Sequence, residues 1–100
     1  NLAYCASKAA VGAMTRCLAV EWASKGIRVL DVAPGYVVTD LNRGALESGP
    51  AREYLEKRIP GRRLGTTGDV ARFVAAIYSE DIPFFTGETI YLDGGQGIAH

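Results

Sequence analysis

One hundred residues are enough for one small domain and exclude a second domain within this stretch. Eleven Lys and Arg residues balance eleven Asp and Glu residues, so the charge gives no reason to expect a nucleic acid or an anionic membrane as a partner. Hydrophobic residues make up 48% of the chain, and no apolar run approaches the roughly 20 residues that span a bilayer, so we expect a cytoplasmic globular protein.

The first predicted element is an amphipathic helix over residues 3–25. Good helix formers dominate this segment, and large apolar residues recur at spacings of three and four, at Val11, Met14, Leu18 and Trp22. Gly26 predicts the end of the helix, because glycine readily adopts the left-handed conformation of a C-terminal cap.

Two cysteines lie on this helix. Cys5 and Cys17 are separated by about 18 Å along the axis at ~1.5 Å per residue, which is too far for a disulfide. Neither has a metal-ligand spacing such as C-x-x-C. We therefore expect two unpaired cysteines, buried or half-buried as small hydrophobes, and no metal site.

A strand is predicted next, over residues 27–33, where branched apolar residues dominate and Pro34-Gly35 marks the far end. A helix, a tight turn and an apolar strand form half of a βαβ unit, in which helices cover parallel strands. Asp31 is unusual in such a strand. It is expected at the sheet edge or beside a hydrogen-bonding partner, because an unpaired buried carboxylate is costly.

The chain turns polar between Thr39 and Arg63, where glycines and prolines interrupt it. Pro50 suits a first helical position, so a short helix is predicted over residues 50–57. Excursions of this length in compact domains are usually binding loops or lids.

The last predicted elements are a helix over residues 68–79 and a strand over residues 88–92. Thr66 and Asp69 have the Thr-x-x-acid spacing of a capping box before the helix, and Asp93-Gly94-Gly95 is typical of a turn after the strand. His100, terminal and alone, is expected to be a frayed tail. The order of helix, strand, lid, helix and strand indicates an α/β fold.

Tyr4 and Lys8 are the candidate catalytic residues. Four positions apart on one helix, their side chains share a face. The unperturbed pKa of a phenol is near 10, and an ammonium within about 4–6 Å favours the phenolate, which suits proton transfer. By itself this spacing is more often an aromatic residue with a snorkelling lysine.

The pair lies within Tyr-Cys-Ala-Ser-Lys-Ala-Ala, which resembles the active-site motif of the short-chain dehydrogenases/reductases. Four further segments resemble that family in the same order, so the resemblance covers the whole chain. They are Gly-Ile-Arg-Val from Gly26, Ala-Pro-Gly from Ala33, the set Ile-Pro, Arg-Leu-Gly and Asp-Val-Ala from Ile59, and Thr-Gly with Leu-Asp-Gly-Gly from Thr86. The Ala-Pro-Gly and Asp-Gly-Gly segments favour the short, reductase-like branch over the extended branch of epimerases and dehydratases.

The resemblance implies that residues 1–100 are the C-terminal, catalytic half of one doubly wound parallel-sheet Rossmann domain, with residues 40–63 as the substrate lid. It implies an oxidoreductase that transfers hydride between NAD or NADP and an alcohol or carbonyl substrate, and assembly as a homo-oligomer, a dimer or a homotetramer. The implied roles are acid/base for Tyr4, and for Lys8 lowering of the phenol's pKa and binding of the nicotinamide ribose. Cofactor contacts are also implied from Tyr4, from Pro34 and Gly35, from the Val37 main chain and from the Thr39 hydroxyl.

Two departures from the family pattern bear on these implications. Leu30 stands where the family often has Asn. The family's Gly-rich dinucleotide loop, NAD/NADP-selecting residue and catalytic serine would all precede Asn1. A non-catalytic folding or oligomerisation fragment of the same fold therefore stays open as an alternative. Within the lid, Leu41 and Asn42 are substrate-contact candidates.

Overall fold

The computed structural model describes residues 1–99, so the prediction for His100 lies outside the described residues. Helices and strands alternate along the chain, which confirms the α/β class. The elements are α1 (Leu2–Trp22), β1 (Asp31–Pro34), β2 (Val37–Val38), α2 (Arg43–Leu46), α3 (Pro50–Arg58), β3 (Gly65–Thr66), α4 (Thr67–Ser79) and β4 (Thr89–Leu92), with 3₁₀ turns at Ala23–Lys25 and Gln96–Ile98.

The chain divides into two compact units. One contains residues 1–32 and 81–90, and the other contains residues 33–80 and 91–99. Strand β1 pairs with β4 and β2 pairs with β3. None of the described helices is both long and apolar enough to cross a membrane.

Helix α1 and the 3₁₀ turn that continues it are capped at both ends, and the predicted end at Gly26 is confirmed. The Asn1 side chain accepts a hydrogen bond from the Tyr4 N–H, and Gly26 closes the following 3₁₀ turn with a left-handed φ of 73°. The predicted apolar stripe is buried only in part: Val11 is 46% and Met14 59% exposed, Leu18 and Trp22 are half-buried, and the two fully buried residues of the helix are Thr15 and Ala19.

Small residues make the helix contact in the first unit. A Cβ added at Gly87 would lie 3.4 Å from the Cβ of Ala19, so the turn before β4 approaches the helix at van der Waals distance. A bulkier side chain at Ala19 would hold this turn away from the helix.

Cys5 and Cys17 are unpaired, as predicted, but the prediction that they are buried or half-buried is wrong. Both are exposed. The physical reason is their position on α1, whose buried residues within this chain are Thr15 and Ala19.

Strands β1 and β4 run parallel. The Gly87 N–H donates to the Val29 carbonyl at 2.8 Å and the Asp31 N–H to the Glu88 carbonyl at 3.0 Å, so both partners advance together. The strand begins at Asp31 rather than at residue 27, because the Val29 N–H bonds the Thr86 hydroxyl instead of a backbone carbonyl.

Asp31 has the partner that its burial requires. The Thr89 hydroxyl donates to its Oδ2 at 3.0 Å, and both residues are half-buried. The expectation of a hydrogen-bonding partner for this strand carboxylate is confirmed.

The second unit is organised around the parallel pair β2 and β3, in which Val37 lies opposite Gly65 and Val38 opposite Thr66. The long connection between these strands contains α3, predicted at nearly these bounds, and the unpredicted helix α2. Ile59, 2% exposed, and Leu64 are buried in this unit.

Helix α4 begins with the predicted capping box. The Thr66 Oγ1 accepts from the Asp69 N–H at 3.1 Å, and an Asp69 carboxylate oxygen accepts from the Thr66 N–H at 2.8 Å. These two bonds satisfy backbone N–H groups at the N-terminus of α4, where the helix itself provides no acceptor for them.

Candidate active site

Tyr4 and Lys8 lie together on the first turns of α1. The Lys8 Nζ is 5.5 Å from the centre of the Tyr4 ring, as the spacing of four predicts. The Asn1 cap fixes the start of the helix directly before them, and the Tyr4 ring is 62% exposed. The structure therefore brings the predicted pair into contact and leaves the phenol accessible.

This arrangement places a positive charge over the Tyr4 ring. The ammonium supplies a positive charge beside the ring, and the N-terminus of a helix carries about half a positive elementary charge. The geometry of the pair does not by itself distinguish a catalytic site, because the Arg58 guanidinium lies 5.3 Å from the Tyr54 ring at the same spacing on α3.

Of the two residues predicted to contact a cofactor here, Pro34 is the last residue of β1 and Gly35 directly follows the strand. The Gly35 N–H donates to the Leu92 carbonyl at 3.0 Å. A Cβ on Gly35 would lie 2.8 Å from the Asp93 Cβ and 3.0 Å from its Cα, which is closer than ordinary contact. A glycine is therefore required here by packing within the second unit.

The segment from Val37 to Thr39 is bridged by a side chain. The Asn42 Nδ2 donates to the Val37 carbonyl at 3.0 Å, and the Thr39 N–H donates to the Asn42 Oδ1 at 2.7 Å. Asn42 therefore contacts two of the predicted cofactor-binding residues through one amide group. Leu41, the neighbouring substrate-contact candidate, is fully exposed.

A cavity of about 400 Å³ lies in the second unit beside β2 and β3. Its lining includes Val37, Gly65, Arg63, Asp69 and Tyr91. A volume of this size falls within the range of small-molecule sites.

A charged cluster at this cavity was not predicted as a unit. Arg63 donates to both carboxylate oxygens of Asp69, at 2.7 and 3.2 Å, and Arg72 donates to the same carboxylate at 3.1 Å. The Arg63 bonds, followed by the bond from the Thr66 N–H, hold the pKa of Asp69 well below its usual range, and the same carboxylate raises the pKa of Arg63. Because the carboxylate is occupied by four donors, we interpret the cluster as an anchor for α4.

The chain is similar to known dehydrogenases and reductases along nearly its whole length. A family model described as enoyl-(acyl carrier protein) reductase matches residues 1–96. A glucose 1-dehydrogenase from Gluconobacter oxydans is 40% identical over 94 residues, which are 94% of this chain and 35% of that protein. An NAD-dependent glycerol dehydrogenase from Listeria innocua is 39% identical over 98 residues, 98% of this chain and 38% of that protein.

Solved structures show the same likeness. ElxO with NADP bound superposes with a TM-score of 0.83 at 36% identity, covering 93% of this chain and 38% of that chain. A short-chain type dehydrogenase/reductase from Mycobacterium ulcerans superposes with a TM-score of 0.85 at 31% identity, covering 94% and 34%.

The chain thus spans little more than a third of the length of these relatives. The family model nevertheless covers almost all of it, and the parallel strands with their helices agree with a part of the Rossmann fold. The chain belongs to the short-chain dehydrogenase/reductase family.

Proposed function

We propose that the complete polypeptide is an NAD- or NADP-dependent oxidoreductase in which Tyr4 is the acid/base and Lys8 assists it. The substrate class is an alcohol or carbonyl compound. The observation that carries the proposal is the Lys8 ammonium 5.5 Å from the Tyr4 ring centre, at the start of a helix in a chain of this family.

Tyr4 handles the proton in this proposal. In reduction its hydroxyl donates a proton to the carbonyl oxygen, and in oxidation its phenolate takes the proton of the alcohol. The Lys8 ammonium and the N-terminus of α1 stabilise the charge that develops on the phenol oxygen. Because an ammonium has three donors, Lys8 can also hold ribose hydroxyls. The dinucleotide, when bound, supplies or accepts the hydride.

The end of β2 has the donor and acceptor that a nicotinamide carboxamide needs. The Val37 carbonyl and the Thr39 N–H together hold the primary amide of Asn42, and a nicotinamide ring carries the same chemical group. We therefore assign the carboxamide to the Val37 main chain and the Thr39 N–H, with a further cofactor contact from the Thr39 hydroxyl. Pro34 and Gly35 are proposed to shape the turn and to contact the cofactor through their backbone.

The segment 40–63 is proposed as the substrate lid, within a single domain to which residues 1–100 contribute the catalytic half. It contains α2 and α3 and connects β2, which bears Val37, to β3. This placement supports the lid assignment because connections between strands often carry binding residues.

Assembly as a homo-oligomer, a dimer or homotetramer, and a cytoplasmic location complete the proposal. Several large apolar side chains are almost fully exposed in this chain, among them Leu2, Val20, Phe84 and Ile98. Such surface needs covering, by the rest of the polypeptide or by another copy. Sedimentation of the complete polypeptide tests the assembly, and a monomer at micromolar concentration would contradict it.

Substitution of Tyr4 tests the function. Turnover of a panel of ketones and aldehydes with reduced cofactor is measured for three proteins: the complete polypeptide and its Tyr4→Phe and Tyr78→Phe variants. We expect Tyr4→Phe to lower kcat by roughly 10²- to 10⁴-fold, the usual contribution of a positioned acid/base. Tyr78→Phe removes the same hydroxyl from an exposed tyrosine and should leave kcat unchanged. Equal activity of both variants would remove Tyr4 from the mechanism.

A further inference from the structure

The Asn42 side chain bonds the backbone that precedes it instead of capping the helix that follows. Asn42 directly precedes α2, where an asparagine side chain ordinarily accepts a hydrogen bond from the first helical turn. Within residues 1–99 its side chain makes no such capping bond. It turns back instead and bonds the Val37 carbonyl and the Thr39 N–H.

The two bonded backbone groups select a particular ligand chemistry. A carbonyl can only accept a hydrogen bond and an N–H can only donate one. A planar primary amide, with a donor nitrogen and an acceptor oxygen side by side, satisfies both at once. The distances of 3.0 and 2.7 Å are those of well-formed hydrogen bonds. The Val37 carbonyl and the Thr39 N–H therefore already bind one carboxamide, that of the Asn42 side chain.

We propose that the Asn42 carboxamide is an internal competitor for the nicotinamide carboxamide, and that it leaves Val37 and Thr39 when a dinucleotide binds. The proposal rests on the proposed function, which assigns these two residues to the cofactor. Exchange of one primary amide for another conserves both hydrogen bonds, so displacement costs little in hydrogen bonding. The apparent affinity for the nicotinamide end is nevertheless reduced by the fraction of molecules in which Asn42 occupies the site.

The position of Asn42 suits it to a displaceable contact. It lies in the connection between β2 and α2, is half-buried, and is attached to the proposed lid. Release of its side chain frees an Asn42 amide able to cap α2, which gives the displaced group an alternative set of partners. Cofactor binding is thereby coupled to the start of the lid.

Dissociation constants of two ligands for the complete polypeptide and its Asn42→Ala variant test the proposal. One ligand is NAD or NADP, and the other is the matching ADP-ribose or 2′-phospho-ADP-ribose, which lacks the nicotinamide ring. We expect Asn42→Ala to bind the dinucleotide about 3- to 30-fold more tightly and the ribose analogue with unchanged affinity. Weaker or unchanged dinucleotide binding, or an equal change for both ligands, would overturn the proposal.

A second measurement follows the Asn42 side chain itself. In wild-type protein with an isotope label on asparagine, and with Asn42→Ala used to identify the signal, the side-chain amide of Asn42 should be protected from solvent exchange. We expect saturation with the dinucleotide to change that protection and the ribose analogue to leave it unchanged. An identical response to both ligands would overturn the competition. If neither ligand binds the wild-type protein, the proposed function itself fails, and this inference fails with it.

Discussion

Replacement of Gly35 by alanine places a methyl group where Asp93 already lies. The added Cβ would be 2.8 Å from the Asp93 Cβ and 3.0 Å from its Cα, whereas carbon atoms in contact are ~3.5–4.0 Å apart. The neighbouring Asp93 cannot easily move, because its carboxylate accepts hydrogen bonds from the Gly95 and Gly97 N–H groups, each at 2.9 Å. The backbone therefore has to shift by roughly 0.5–1 Å, given those contact distances.

The size of the effect follows from two opposing terms. Overpacking of a well-packed site costs about 1–3 kcal/mol. A Gly→Ala change also restricts the unfolded chain, which offsets about 0.4–1 kcal/mol where the backbone conformation is compatible. We expect Gly35→Ala to lower the free energy of unfolding by about 1–2 kcal/mol.

Urea unfolding of the complete polypeptide without cofactor, at fixed protein concentration, measures this loss separately from any cofactor contact of Gly35. Gly44→Ala is the matched control, because no atom that the structure describes outside its immediate neighbours lies within 4 Å of a Cβ built at this glycine in α2. It should be neutral or stabilising by up to about 1 kcal/mol. If Gly35→Ala is as stable as Gly44→Ala, the close packing of Gly35 against Asp93 is refuted.

Three further predictions concern stability. Thr66→Ala removes the capping oxygen of α4 and should cost about 0.5–2 kcal/mol in urea unfolding, whereas Thr66→Ser should retain most of it; equal losses would contradict the capping role. Because the pKa of Asp69 is lowered in the folded protein, chiefly by Arg63, its contribution is present above the unfolded pKa of about 4 and is lost as pH falls below it. The free energy of unfolding of Asp69→Asn should therefore depend less steeply on pH below about pH 4 than that of wild type, and an unchanged slope would contradict this. Thr89→Val removes the hydroxyl that bonds Asp31 but keeps a branched strand residue, so a loss of about 1 kcal/mol is expected from urea unfolding, and none if the bond contributes nothing.

Local signals in the sequence predicted local structure well. The capping box at Thr66 and the left-handed Gly26 depend on contacts within a few residues, and both are as expected. Asp31 was recognised as a residue needing a partner, but its partner Thr89 lies far along the chain, so the spacing of nearby residues carries no sign of it.

Long-range packing was the part that local patterns missed. Strands β2 and β3 have two residues each, too few for a periodic pattern, and they pair across the whole proposed lid. The large hydrophobic residues of α1 suggested a buried stripe, but two of them, Val11 and Met14, are exposed, and the small residue Ala19 lies against the distant turn at Gly87.

In the candidate site, too, some contacts could be predicted from the sequence and others could not. Tyr4 and Lys8 are four apart on one helix, so helical geometry alone predicts that they share a face. The role of Asn42 was not foreseen, because its partners are backbone groups and a sequence does not display which backbone groups a side chain reaches. An asparagine shortly after a turn is the available signal, since such side chains often bond the nearby backbone.

The most direct test of the proton-transfer role of Tyr4 is a single-turnover measurement. The complete polypeptide, saturated with reduced dinucleotide, is mixed with carbonyl substrate, and the rate of loss of dihydronicotinamide absorbance is compared between wild type and Tyr4→Phe. We predict a rate lower by roughly 10²- to 10⁴-fold in Tyr4→Phe, with the affinity for the dinucleotide nearly unchanged. Hydride transfer at the wild-type rate in Tyr4→Phe would contradict the account.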